Sequence, residues 1–231
     1  MIRAIVTGLA LAVTLALPAR AIDIQDVKSP GGLTAWLVED HSIPFVSISI
    51  LFRGGASVDA LGKRGAVNLM AATLEEGAGD MDATAFAEAV QEQAASIGFD
   101  AGDDAVSVSA RMLTENRDAS AELLRAALVE PRFDAAAVDR VRTQVQAAIR
   151  AEETDPNAIA ATTLARETWG DHPYGSSING TADSVAGLTP DDLRAAKDRV
   201  LARDRVLVAA AGDITPGELG ALMDRVLGDL P

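Results

Sequence analysis

A mainly antiparallel sheet covered by helices, the α+β class, is the fold predicted by the order of apolar patterns in this 231-residue chain. Three observations carry that expectation. Strand-type runs come in groups, helical runs come in longer groups, and no regular strand-helix alternation of a parallel sheet is present. Hydrophobic residues make up 48% of the sequence, which supports a packed core rather than disorder. There is no cysteine, so no disulfide assists and the core must hold the fold by itself.

The first 21 residues stand apart. Arg3 gives a positive start, Ala4 to Leu17 an apolar run too short to span a bilayer comfortably, and Ala19-Arg20-Ala21 an A-x-A cleavage site. They predict a secretory signal over residues 1–21, with export, to the periplasm if the source is Gram-negative, and a single mature domain over 22–231.

Along the mature chain, Leu33 to Val38 and Phe45 to Phe52 read as strands, separated by the polar turn Glu39 to Ser42 and closed by Arg53-Gly54-Gly55. In the next segment Val67, Met70, Ala71 and Leu74 recur at helical spacing, predicting a buried helix from about Arg64 to Glu76 that the Gly77-Ala78-Gly79 turn stops. A second helix is expected from Asp82, as N-cap, to Ser96. Phe99 to Gly102 and Ala105 to Met112 form a strand pair about Gly102-Asp103-Asp104; Val106, Val108 and Ala110 alternate with Ser107, Ser109 and Arg111, giving one buried and one solvated face. Glu115 to Trp169 reads as three helices, broken at Pro131 and reopened at Pro156 behind Asp155. Short helices over Thr181 to Ala186 and Asp191 to Ala202, a strand over Arg205 to Ala211 and a helix over Pro216 to Leu227 complete the chain.

A formal charge of -14, which loss of Arg3 and Arg20 makes more negative, repels phosphate backbones and anionic lipid. It argues against nucleic-acid and membrane-surface partners.

Several short motifs in a fixed order point further. They are Gly32-Leu33 to His41, Ile43-Pro44-Phe45-Val46-Ser47, Phe52-Arg53-Gly54-Gly55-Ala56 and Gly65 to Gly77. Further on come His172-Pro173-Tyr174-Gly175, Asn179-Gly180-Thr181, Leu188 to Leu193 and Val206 to Ile214. In this order they resemble the first lobe of the pitrilysin (insulinase) family of zinc metallopeptidases, over nearly everything after residue 30. That resemblance implies the same α+β lobe, an H-x-x-E-H helix and a further Glu as metal and catalytic residues, and a second, similar lobe that this sequence lacks. At the matching positions stand Asn68, Ala71, Ala72 and Ala148. Alanine has no lone pair for a metal and an Asn amide is a poor zinc ligand, so no catalytic residue and no metal ligand is expected in this chain. The resemblance also implies that a peptide adds as a strand along Gly98, Phe99, Asp100, Ala101 and Gly102.

The remaining chemistry-bearing residues have simpler readings. His41 and His172 read as loop histidines, and Glu75, Glu76, Asp103 and Asp104 as solvated carboxylates. No nucleophile elbow or phosphate-cradling loop is present. The first functional expectation is therefore a non-catalytic homologue serving as partner subunit of an active pitrilysin-like peptidase, with zinc held in that partner. A stand-alone exported peptide-binding or scaffolding module is the second, and an active zinc endopeptidase the last.

Overall fold

The computed structural model describes residues 22–231; the expected signal over residues 1–21 lies outside them. Six strands form one sheet in the order β1-β2-β8-β3-β7-β6: β1 (Gln25–Lys28), β2 (Thr34–Glu39), β3 (Phe45–Arg53), β6 (Ser96–Ala101), β7 (Ala105–Leu113) and β8 (Val206–Gly212). Every pairing is antiparallel except β2 with β8, where Ala35 lies opposite Val208 and Glu39 opposite Gly212. The central strand β3 shows why one face is covered. Val46, Ile48, Ile50 and Phe52 alternate into the core, while Ser47, Ser49 and Arg53 point away. Val106, Val108, Ala110 and Met112 of β7 join the same side.

Helices α1 (Ala66–Thr73), α3 (Arg117–Val129), α4 (Ala135–Glu152), α7 (Pro190–Val200) and α8 (Pro216–Leu227) supply the other half of that core through Met70, Leu124, Val141, Leu193 and Leu219 among others. Each fully buried large aliphatic side chain here contributes about 1.5–3 kcal/mol. Helices α2 (Ala83–Glu92), α5 (Pro156–Trp169) and α6 (Ala182–Ala186) complete the set. Threonines 181, 189 and 215 each cap a helix in a reciprocal box, with Ser184, Asp192 and Glu218 at the third position.

The structure corrects several expected boundaries, among them the strand expected from Phe99, which starts at Ser96, and the helix expected to reach Ala202, which ends at Val200. Helix α1 keeps only the buried middle of the Arg64 to Glu76 segment. The Gly77 turn is a two-residue hairpin, β4 (Gly77–Ala78) against β5 (Met81–Asp82). Helix α2 stops at Glu92 and not Ser96, because Ala94 turns left-handed (φ 49°) and Ser96 is already paired to Arg111.

Candidate functional site

Side-chain contacts of the segment before α1 fix where the helix starts. Asp59, nearly fully buried, accepts the Gly65 and Val67 N–H groups, both at 2.9 Å, and so caps α1 from a distance. Burial pushes the Asp59 carboxyl up, against the two N–H groups that favour its charged form. Arg64, mostly buried, donates to the carbonyls of Ala56, Pro173, Ser176 and Ser177 and reaches Asp103 at 3.4 Å. It clamps the 173–177 loop onto the start of α1. Gly65 and Gly180 permit the close approach: both have left-handed φ, and a Cβ would stand 2.7 Å from the Asn179 carbonyl oxygen or 2.3 Å from the Arg64 carbonyl oxygen.

This clamp brings Asn179 over Asn68. Asn68 Nδ2 donates to Asn179 Oδ1 at 2.8 Å, and Asn179 Nδ2 donates to Glu152 Oε1 at the end of α4. Glu152 Oε2 accepts from Ser177 Oγ at 3.1 Å. The polar groups at the α1–α4 junction thus answer one another in a chain. Asn68 and Ala72, one turn apart, lie toward the surface, as do Ala148 and Glu152 on α4. Ala71 turns inward and is buried in the core, in keeping with the Val67, Met70, Ala71 and Leu74 pattern. A zinc ion does not fit these side chains. Two methyl groups offer it nothing, and the Asn68 amide already serves Asn179. Among the described residues no group of three or more His, Asp or Glu side chains is arranged to hold a metal.

Asn179, Glu152 and Ser177 were not singled out as site residues by sequence reasoning. The only signal was the Asn179-Gly180-Thr181 motif, which lies 111 positions from Asn68.

The two histidines have defined surroundings. His41 lies between Glu39, at 2.9 Å from Nε2, and Asp213 on Nδ1, and Asp213 also accepts from Thr114 Oγ1 at 2.7 Å. The hydrogen bonds His41 makes to Asp213 and then to Glu39 hold its pKa above the ordinary value, and the cluster ties the β2–β3 turn to the ends of β7 and β8. His172 accepts the Tyr174 N–H at 3.2 Å and packs edge-on against that ring. Asp103 lies beside Arg64, Asp104 accepts from the Tyr174 hydroxyl, and Glu76 pairs with Arg140.

Gly98, Phe99, Asp100 and Ala101 lie in β6, the last strand of the sheet, with Gly102 in the turn beyond. Two other surfaces stand open. On the helix-free side of the sheet Trp36 (54% exposed) and Ile24 (62%) wall a trough of about 480 Å³ floored by Ser47, Ser49, Ala209 and Ala211. Helix α5 has no buried residue, and Ile159, Leu164 and Trp169 are exposed along it. No helix among the described residues is long and apolar enough to cross a membrane.

Comparison with known proteins agrees with this geometry. Residues 34–182 match the insulinase family, peptidase family M16. A non-peptidase homologue, YmxG of Helicobacter pylori, is 27% identical over 223 residues, covering 96% of this chain and 51% of its own length. The crystal structure of a peptidase M16 inactive domain from Pseudomonas fluorescens superposes with a TM-score of 0.85 at 26% identity, over 90% of this chain and 51% of that one. Pitrilysin shares the fold at a TM-score of 0.77 and 15% identity, covering 93% of this chain and 23% of its own. The chain thus spans about half the length of the first two.

Proposed function

The chain belongs to the insulinase (M16) peptidase family, and we propose that it is a non-catalytic member, the partner subunit of a relative with an intact H-x-x-E-H helix, in peptide degradation or processing. The carrying observation is the α1–α4 junction. Asn68, Ala72 and Ala148 offer no metal ligand set, Ala71 offers no base, and the polar groups around them are engaged with each other. In this reading zinc belongs to the partner, the signal over residues 1–21 sends the chain to the periplasm of a Gram-negative source, and nucleic acid and membrane are not partners.

The trough below Trp36 and the unburied helix α5 support pairing, since a lobe working alone has little reason to present both. The β6 edge supports a share in holding the peptide, through backbone pairing that needs no particular side chain. That same edge favours the second reading, an exported module that binds peptides unaided.

The experiment is a tagged capture of the mature chain from its native exported fraction, with mass-spectrometric identification of what is held stoichiometrically. Recovery of a chain bearing H-x-x-E-H, with peptidase activity in the pair and none in this chain alone or in the pair stripped of zinc, is the expected result. Recovery of the chain alone at physiological salt overturns the subunit reading and leaves the peptide-binding module.

A further inference from the structure

The helix-free side of the sheet and helix α5 are open in complementary ways. Eight large hydrophobic side chains stand exposed among the described residues, and five of them lie on these two surfaces: Ile24 and Trp36 on the trough, Ile159, Leu164 and Trp169 on α5. The chain has two tryptophans, and each surface carries one of them, about half exposed. Apolar surface gathered in this way, with a tryptophan in each half, belongs to interfaces.

Shape and charge agree. On α5, Ala161, Leu164, Ala165, Thr168 and Trp169 recur at helical spacing and form one uncharged stripe. The small residues Ser47, Ser49, Ala209 and Ala211 on the trough floor leave room for the side chains of a helix. With 14 residues α5 is about 21 Å long, and β8, with 7, is about 23 Å, so the helix matches the strand beneath it. No charged residue lines the trough, and the only charges on α5 are Arg166 and Glu167, which cancel. Copies of a chain with formal charge -14 repel each other across acidic faces, so they can approach where both surfaces are neutral.

Within one chain α5 lies against the Pro173–Gly175 turn, and none of its residues lines the trough. We propose that two copies of the chain pair reciprocally, the α5 stripe of each entering the trough of the other. Each copy supplies both halves of the contact, so a two-fold pair fills both troughs and covers both helices. A stable interface buries about 1,200–2,000 Å² in total, and a contact made twice needs only about 600–1,000 Å² each time. This self-pairing goes beyond the subunit reading and does not depend on it.

Sedimentation velocity of the mature chain at about 150 mM salt, where long-range repulsion is screened, is the test. A dimer should dominate at about 50 μM and give way to monomer near about 0.5 μM, with no larger species. Leu164→Glu and Trp36→Lys, both at exposed positions, should each weaken pairing at least about thirtyfold, the second although it lowers the charge that drives the copies apart. An equimolar mixture of these two variants should pair more tightly than either alone, because one of its two contacts joins an unaltered α5 to an unaltered trough. Ala161→Lys and Ser49→Glu, also at exposed positions, repeat the comparison, and melting curves identify the variants that retain the fold.

A parent chain that stays monomeric at the highest concentration overturns the self-pairing and leaves both surfaces to the H-x-x-E-H relative. Full pairing by a folded Leu164→Glu chain indicates trough on trough, full pairing by a folded Trp36→Lys chain indicates helix on helix, and growth beyond the dimer indicates an open head-to-tail array. Any of these, or a mixture that pairs no better than its components, overturns the reciprocal contact.

Discussion

The α1–α4 junction and the β6 edge lie at opposite extremes of polar satisfaction. At the junction Asn68, Asn179, Glu152 and Ser177 bond to one another, and Arg64 takes up loop carbonyls that would otherwise face the solvent or the core. At the edge, backbone groups of Ile97 and Ala101 face outward. Internal closure stabilises a structure and silences its chemistry; an open edge adds little to stability and remains available to a partner. The contrast sets internally paired polar groups at the α1–α4 junction against unpaired backbone groups along β6.

Substitutions at the two regions should separate accordingly. Arg64→Ala carries the largest expected effect, a loss of about 3 kcal/mol in urea unfolding, because it leaves several carbonyls of the 173–177 loop and the buried Asp59 without their cation. Asn68→Ala should cost about 1 kcal/mol by stranding Asn179 Oδ1. Asp100→Ala at the edge should stay within about 0.5 kcal/mol of the parent. Equal costs for Asn68→Ala and Asp100→Ala would erase the distinction.

A smaller effect concerns the His41 clasp, which, like the junction, joins segments far apart in sequence. Its folded pKa is raised above 6.5, so its contribution is complete below that value and is lost as pH rises through the folded value. The Asp213 contribution has the opposite sense: its pKa is lowered below 3.8, so it is present above that value and fades as pH falls through the folded one. The melting temperature should therefore decline modestly between about pH 6.5 and 9, and His41→Asn should flatten that decline. A decline unaltered in the variant would assign it to other groups.

Much of the fold was legible in local patterns. The alternation in β3 and β7 and the caps at Asp82, Asp155 and Thr189 announce themselves within a few residues. What escaped was either too short to show a period or made by distant residues. The β4–β5 hairpin has two residues a side, and Ala94 adopts a left-handed turn that carries no glycine to mark it. The parallel β2–β8 pair and the Asn68–Asn179–Glu152 chain join segments over a hundred positions apart in at least one step. The reading of Asn68, Ala71, Ala72 and Ala148 as the family's metal and catalytic positions rests on the resemblance alone, since an alanine on a helix carries no signal of what it replaces.

Zinc content tests the central claim most directly. Purified mature chain, incubated with zinc and desalted, should retain less than about 0.1 zinc per chain, whereas Asn68→His/Ala72→His/Ala148→Glu, which supplies His, His and Glu at the positions the resemblance implies, should retain about one. Stoichiometric zinc in the unaltered chain, together with metal-dependent peptide cleavage by that chain alone, would contradict the non-catalytic assignment.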